Sequence, residues 1–487
     1  MVWLTWLGLV SWGVGLIGDE PKQALPSASG GPSVTGQAWP AFRGDGRSVT
    51  SARHLPLEWS PQENIAYRVQ LPGYGQSSPV VWNDQVYLTA VDGDQKEKLY
   101  VVALRLGDGK RLWQKEFDAS QKGRNNPMMS RAAATPVVDA QGVYCFFESG
   151  DLFALRHDGS LRWQRSLSKD YGPIKNNHEL ASSPVQYNDL IFVLVDHSGP
   201  SYLAAIDKSS GQTRWKAERP SRTSWTSPVV TEVAGTPVVI VASGDSVTAY
   251  EAATGKVLAT LEGLVGLNIA SPTANGEWIV IGAGVNRLKP DVAASARSNC
   301  LLRLQQKDGQ WSLTQVWPGK KAVSAFASPL IYAGHVYFLT REGLVYCVDA
   351  HSGAERYVER LDDEVWATPI AAGDRLYFFG KKGVTVVLKS GGEFEKLAVN
   401  RLWTPQEYAE RLAQARKEAE KKLPPPIPPG KNPPGGPVVP PEEMQAVRYA
   451  TVGDVVYGVA AVDGGFLIRT GTELIAVGRP GNPDNAR

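Results

Sequence analysis

Cysteine is scarce. The 487-residue chain holds three, Cys145, Cys300 and Cys347, far apart and without a CxxC pair. That excludes a zinc ribbon and a redox dithiol. Each lies in an apolar, strand-like run such as Val143-Tyr144-Cys145-Phe146-Phe147, which reads as a buried, inert thiol. Charge is also low and balanced, with 21% charged residues and 51 Lys+Arg against 49 Asp+Glu. No long basic run exists, so nucleic-acid binding has no electrostatic footprint. Patterns for GxSxG, HExxH, a Walker loop or an EF-hand are all missing. The six histidines (His54, His157, His178, His197, His335, His351) show no metal-ligand spacing, and Asp92-Gly93-Asp94 reads as a hairpin turn. No metal site and no catalytic constellation is therefore expected.

What is abundant points elsewhere. Hydrophobic residues make up 43%, with 49 Gly, 34 Pro and 15 Trp. This is too aromatic for a disordered chain and too rich in turn formers for a helical bundle. Many short strands with tight turns fit best. The one long apolar run, residues 2–17, ends at Asp19-Glu20 and has the length of a signal-peptide core, so residues 1–18 read as an export segment. An uncleaved anchor is the alternative, and only then would the chain touch a membrane. Gly13-Val14-Gly15-Leu16-Ile17-Gly18 spells GxGxxG inside that segment, outside any strand-turn-helix context, and carries no nucleotide meaning. Residues 19–38 read as a flexible linker. The expected location is periplasmic or extracellular.

A motif of a small hydroxyl residue, proline and apolar residues then recurs along the chain. It stands at Ser78-Pro79, Thr135-Pro136, Ser183-Pro184, Ser227-Pro228, Ser271-Pro272, Ser328-Pro329 and Thr368-Pro369, with prolines 57, 48, 44, 44, 57 and 40 residues apart. The first six are each followed by short apolar strands and then a glycine turn: Asp108-Gly109, Asp158-Gly159, Ser210-Gly211, Thr254-Gly255, Asp308-Gly309 and Ser352-Gly353. Four residues past the glycine stand Trp113, Trp163 and Trp215, read as inter-blade packing, and Ala259, Leu313 and Tyr357 in the other copies. Four strands per unit, repeated about eight times, predict an all-β, eight-bladed β-propeller of four-stranded antiparallel blades over residues 39–487. The last unit, with Val459 in the proline position, ends without an outer strand. The spare strand Asn64–Leu71 is predicted to join it and close the ring, hiding two open edges.

Residues 403–447 form a helix plus proline-rich insertion in the last blade. Thr404-Pro405 opens a helix, Tyr408, Leu412, Ala415 and Ala419 make its apolar stripe, and residues 423–441 hold ten prolines in nineteen positions. The segment reads as a surface excursion or as a partner-docking arm. Residues just before each motif proline should ring the channel mouth: Gln76, Arg131, Asn177, His178, Glu179, Arg222, Trp225, Asn268, Phe326, Glu364 and Trp366. Polar, cationic and aromatic groups there make a candidate small-ligand or peptide site, or simply satisfy strand ends. Asp196-His197 is a carboxylate beside an imidazole, but neighbouring strand-end residues point apart.

These repeats resemble the PQQ-like (pyrroloquinoline-quinone-like) propeller superfamily. Trp39-Pro40-x-Phe42-Arg43-Gly44, Asn177-His178-x-x-Ala181-Ser182-Ser183-Pro184 and Val195-Asp196-His197-x-Gly199-Pro200-Ser201-Tyr202 resemble its secreted bacterial members. The superfamily holds quinoprotein alcohol dehydrogenases, which carry PQQ and calcium above the channel against a disulfide of adjacent cysteines. This chain has no such pair. It also holds the outer-membrane assembly propeller lipoprotein, a non-enzymatic scaffold whose anchor cysteine is absent here. The resemblance implies an extracytoplasmic binding or scaffold propeller. An intact ring without an enzymatic constellation reads as a non-catalytic, monomeric scaffold without a cofactor, binding an unknown protein or small ligand through a propeller face. A PQQ- and calcium-dependent dehydrogenase is the alternative.

Overall fold

A computed structural model describes residues 37–285, 290–421 and 452–481. The export segment, most of the linker and the proline-rich tract 423–441 lie outside these residues. Eight sheets follow one another in chain order. Their innermost strands are Val80–Trp82, Val137–Asp139, Val185–Tyr187, Val229–Val233, Thr273–Asn275, Leu330–Tyr332, Ile370–Ala372 and Gly458–Val462, and we number the blades one to eight in that order. All eight are antiparallel apart from one added two-residue strand, and most have four strands. In blade four the two middle positions are taken by one element, Thr236–Glu251, which turns at Gly244 with φ 66°. Strands covered on both faces are apolar throughout, as in Gly142–Phe146 and Leu190–Val195, whereas outer strands such as Ile65–Gln70 alternate.

The recurring hydroxyl explains how the ring is held. The Ser78 amide donates to Thr135 Oγ1 (2.9 Å), Thr135 to Ser183 (3.0 Å), Ser183 to Ser227 (2.9 Å), Ser227 to Ser271 (2.9 Å), Ser271 to Ser328 (3.1 Å) and Ser328 to Thr368 (3.2 Å). Each hydroxyl residue thus passes one hydrogen bond to the next blade, and the proline after it brings no further donor. The chain of bonds stops at blade eight. Gly458 stands there because a Cβ would lie 2.1 Å from Ser78 Oγ. Thr135→Val keeps the shape but orphans the buried Ser78 amide. It should cost about 1–3 kcal/mol in chemical denaturation, and Thr135→Ser should restore most of it.

A second belt joins the outer strands. Trp113, Trp163 and Trp215 donate Nε1–H to His157, Lys208 and Ala252 carbonyls of the following blade, at 2.8, 2.8 and 3.0 Å. Their rings lie on the next blade's turn glycine; at Gly255, φ 74°, a Cβ would come within 2.5 Å of Trp215. In blade five, spacing puts Leu313 in this place, but Trp317 makes the bond, to the Ala350 carbonyl at 2.9 Å. The hairpin there runs on to a two-residue turn at Asp308-Gly309, so the residue level with the neighbouring turn comes four positions later. At the closure Tyr67 takes the part of the tryptophan, its hydroxyl donating to the Leu106 carbonyl at 2.7 Å.

Closure is as the strand count requires. Ile65–Gln70 pairs antiparallel with Glu473–Gly478, Val69 opposite Leu474, as the outer strand of blade eight. The segment before it enters the channel. Ala38–Trp39 adds to the inner edge of blade one, Trp39 opposite Val81. Val138 of blade two donates to the Pro40 carbonyl at 2.8 Å. The Arg43 guanidinium reaches Thr273 Oγ1 and the Pro272 carbonyl of blade five, both at 2.6 Å. Val49–Thr50 then runs parallel beside Ile370–Ala372 of blade seven. Antiparallel at one end and parallel at the other, residues 38–50 rise through the channel and return, filling it with the chain itself.

Candidate functional site

Chain direction defines two faces. Short turns such as Asn83-Asp84 close one; the other carries the long connections between blades and is called here the loop face. The eleven mouth candidates lie at this face, but they form three groups rather than one constellation. Gln76 and Arg131 belong to the first: the Arg131 amide donates to Gln76 Oε1 at 2.9 Å, and its guanidinium lies 3.3 Å from the Tyr74 ring centroid. Tyr74 in turn meets Tyr457, hydroxyl to hydroxyl, at 2.8 Å. Burial pushes Tyr457 well above the ordinary phenol value.

The second group is His178, Glu179, Trp225 and Asn268. Trp225 donates its ring N–H to the Glu179 carbonyl at 2.8 Å and its amide to the Asn268 carbonyl at 2.7 Å, and lies 5.8 Å from the His178 ring. Asn177 beside it is exposed. The third group is Phe326, Trp366 and Glu364. The two aromatic rings stack at 4.8 Å and 4°, Lys381 Nζ stands 4.4 Å over Trp366, and Glu364 pairs with Lys381 at 3.2 Å. Arg222 leaves the ring of candidates. Its guanidinium is held by the Ser243 carbonyl (2.7 Å), Ser246 Oγ (3.0 Å) and Asp245 (3.1 Å) within blade four. Tyr74, Lys96, Glu148, Lys381 and Tyr457 were not reached from the sequence, because each arrives from a strand end or a different blade with no repeating signal.

Asp196 and His197 do part. The buried Asp196 carboxylate takes Arg219 Nε at 3.0 Å and the Ser243 hydroxyl. His197 accepts the Lys175 amide at Nδ1 (3.1 Å) and donates Nε2–H to the Pro200 carbonyl (2.8 Å). Burial pushes this imidazole below its ordinary value. The unfolded chain therefore takes a proton first as pH falls, so this contribution to stability is full above about pH 6.5 and is lost on acidification through that value. A pH series of urea midpoints should fall less steeply below about pH 6.5 for His197→Gln than for wild type.

The helix Pro405–Glu420 begins with a capping box, the Thr404 amide on Glu407 at 2.7 Å and the Glu407 amide on Thr404 Oγ1 at 3.1 Å. It follows the outer strand of blade seven and precedes the innermost strand of blade eight. Arg411 straps it to Asp454 (2.5 Å) and Glu473 (2.7 Å). Its apolar stripe faces the propeller: Tyr408 on Trp403, Leu412 against Gly453, and Ala415 and Ala419 with Val452 and Met128.

A quinone with calcium finds no fitting cradle here. Cys145, Cys300 and Cys347 are free and buried in blades two, five and six, and burial pushes the Cys300 and Cys347 thiols up to about 12. Of the two mouth carboxylates, Glu179 is tied to Lys96 and the Arg124 amide and Glu364 to Lys381. Among the described residues no three His, Cys, Asp or Glu side chains converge as metal ligands. No step is assigned to either group.

Eight radial blades, the hydroxyl relay and the N-terminal closure define a PQQ-like β-propeller. The profile of the family described as outer membrane protein assembly factor BamB matches residues 12–199, 199–338 and 303–423, and the chain belongs to that family. Relatives named outer membrane protein assembly factor BamB include that of Moranella endobia, 25% identical over 45% of this chain and 52% of its own length. Another, from Alkalilimnicola ehrlichii, is 29% identical over 32% of this chain and 36% of its own. The chain thus matches about half or less of the length of these curated relatives. The crystal structure of BamB from Moraxella catarrhalis superposes with a TM-score of 0.52 at 12% identity, covering 85% of this chain and 96% of that one. A europium-containing methanol dehydrogenase gives 0.52 at 11% identity over 76% and 86%. Both show the fold. Among the described residues no helix is long and apolar enough to cross a membrane.

Proposed function

We propose that this chain is a non-catalytic, extracytoplasmic scaffold that holds a partner protein on its loop face. The observation that carries the reading is the filled channel: residues 38–50 occupy the place where a propeller would otherwise pass or bury a ligand. What remains for binding is surface. The stacked, half-buried Phe326–Trp366 pair beside Lys381 supplies an aromatic anchor of the kind that dominates protein interfaces. The strap helix lays its apolar stripe on the propeller, so it offers a partner its polar side. The name that the relatives carry, outer membrane protein assembly factor, supports a partner among proteins of outer-membrane assembly.

The test is crosslinking capture from envelope extract with wild type and with Phe326→Ala/Trp366→Ala. Loss of one reproducible partner in the double variant, with unchanged thermal stability, is expected. An identical set of captured proteins, or dye-linked alcohol oxidation on adding PQQ and calcium, would overturn the reading.

A further inference from the structure

Between blades one, two and three, on the loop face, lies a cavity of about 140 Å³. Its floor is an ammonium between two carboxylates. Lys96 Nζ, almost wholly buried, donates to the Ser130 carbonyl at 2.9 Å, to Glu148 Oε1 at 3.1 Å and to the Glu179 carboxylate. Those three contacts use its three donors. Glu148 also accepts the Ala132 amide with both oxygens (3.2 and 3.1 Å), and Glu179 Oε1 accepts the Arg124 amide at 3.1 Å.

Two carboxylates around one ammonium leave this triad with an excess negative charge and with unused acceptor positions, since a carboxylate offers about four. Arg131, a further cation within electrostatic reach, is turned onto Tyr74. Leu99 and Ile174, both buried, form apolar walls. Lys122 and Lys175 stand exposed on the rim, and neither makes an ion pair among the described residues. The floor is also strained: Lys96, Ala132 and Glu179 have φ of 53°, 44° and 63°, a left-handed backbone that non-glycine residues adopt at a cost and that gathers at functional sites.

We propose that this cavity binds a small amino-acid zwitterion, its ammonium on Glu148 and Glu179, its carboxylate toward Lys122 and Lys175, and its side chain between Leu99 and Ile174. The order of charges carries the assignment. A simple anion would meet a floor whose only ammonium has no donor left, and a simple cation would have to pass two lysines. Only a ligand with both charges, small enough for the space, uses floor, walls and rim together.

The site is independent of any partner protein, so its test leaves the scaffold reading untouched. Purified full-length protein is titrated with alanine and valine, and with methylamine and acetate as half-ligands, by NMR or calorimetry. Alanine or valine should bind with Kd of about 1 mM or tighter, and each half-ligand about tenfold or more weakly. Glu179→Gln should weaken alanine binding by about tenfold, as expected for one lost charge-assisted hydrogen bond. Lys122→Ala/Lys175→Ala, changed only at exposed positions and so expected to fold, should do the same. No binding of either amino acid, acetate binding as tightly as alanine, or alanine binding unchanged in the lysine double variant would each overturn the assignment.

Discussion

A chain lacking residues 60–72 should lose the cooperative unfolding of the whole propeller, not of one blade. The deleted strand is the outer strand of blade eight, although it lies some four hundred residues from its partner: Val69 sits opposite Leu474 and Gln70 opposite Glu473. Its removal uncovers the edge of Glu473–Gly478, and it strips Ile65, Tyr67 and Val69 from the core shared by blades seven, eight and one. It also cuts the ties to both neighbouring blades at once, since Tyr67 holds the Leu106 carbonyl of blade one and Arg68 holds the Leu402 carbonyl of blade seven at 2.6 Å. An unpaired edge of this kind recruits other chains, so aggregation should accompany the loss. Tyr67→Phe isolates one part of the effect. It keeps the ring and drops only the hydroxyl bond, and should cost about 1 kcal/mol. Thermal melts and limited proteolysis measure both variants. A deletion that melts like wild type would remove the closure from the account of stability.

The strand exchange was legible because it is a counting argument: a blade short of a strand at one end and a strand without a blade at the other. The hydroxyl-proline motif was legible as a repeat, but its job was not. A serine before proline looks like turn chemistry until the bond from Ser78 to Thr135 is seen to cross 57 residues. Trp113, Trp163 and Trp215 kept their spacing, whereas Trp317 escaped because one longer hairpin moved the level at which the next turn is met. The loop-face groups were hardest. Lys96 and Glu148 are 52 residues apart and come from different blades, so no spacing rule joins them. The mouth positions precede the inner strands, yet which side chains meet there depends on rotamers, and Arg222 turns into its own blade instead.

The channel segment shows the same limit and gives the second large effect. Trp39, Arg43 and Gly44 read in sequence as a family opening, while the contacts that anchor the segment to the blades are distant: Trp39 sits opposite Val81, and Arg43 bonds Thr273 across 230 residues. Trp39 is completely buried against the inner strands, with Gly44 packed on its ring. Trp39→Ala should therefore cost about 3–5 kcal/mol in chemical denaturation. Packing rather than hydrogen bonding is the cause, because the Trp39 ring N–H is buried without a partner among the described residues. Trp39→Phe removes that orphan donor but leaves a smaller gap than alanine does, and should cost about 1–2 kcal/mol. If alanine and phenylalanine cost the same, the segment is not held by its ring and the channel is filled for another reason. The alanine variant, studied below its melting point, also separates channel from face. It should bind a hydrophobic dye in the loosened channel while still capturing the loop-face partner, because Phe326 and Trp366 stack on each other at the entrances to the inner strands of blades six and seven. Loss of the partner in a folded Trp39→Ala protein would mean that the channel segment, and not the aromatic pair, presents the binding surface.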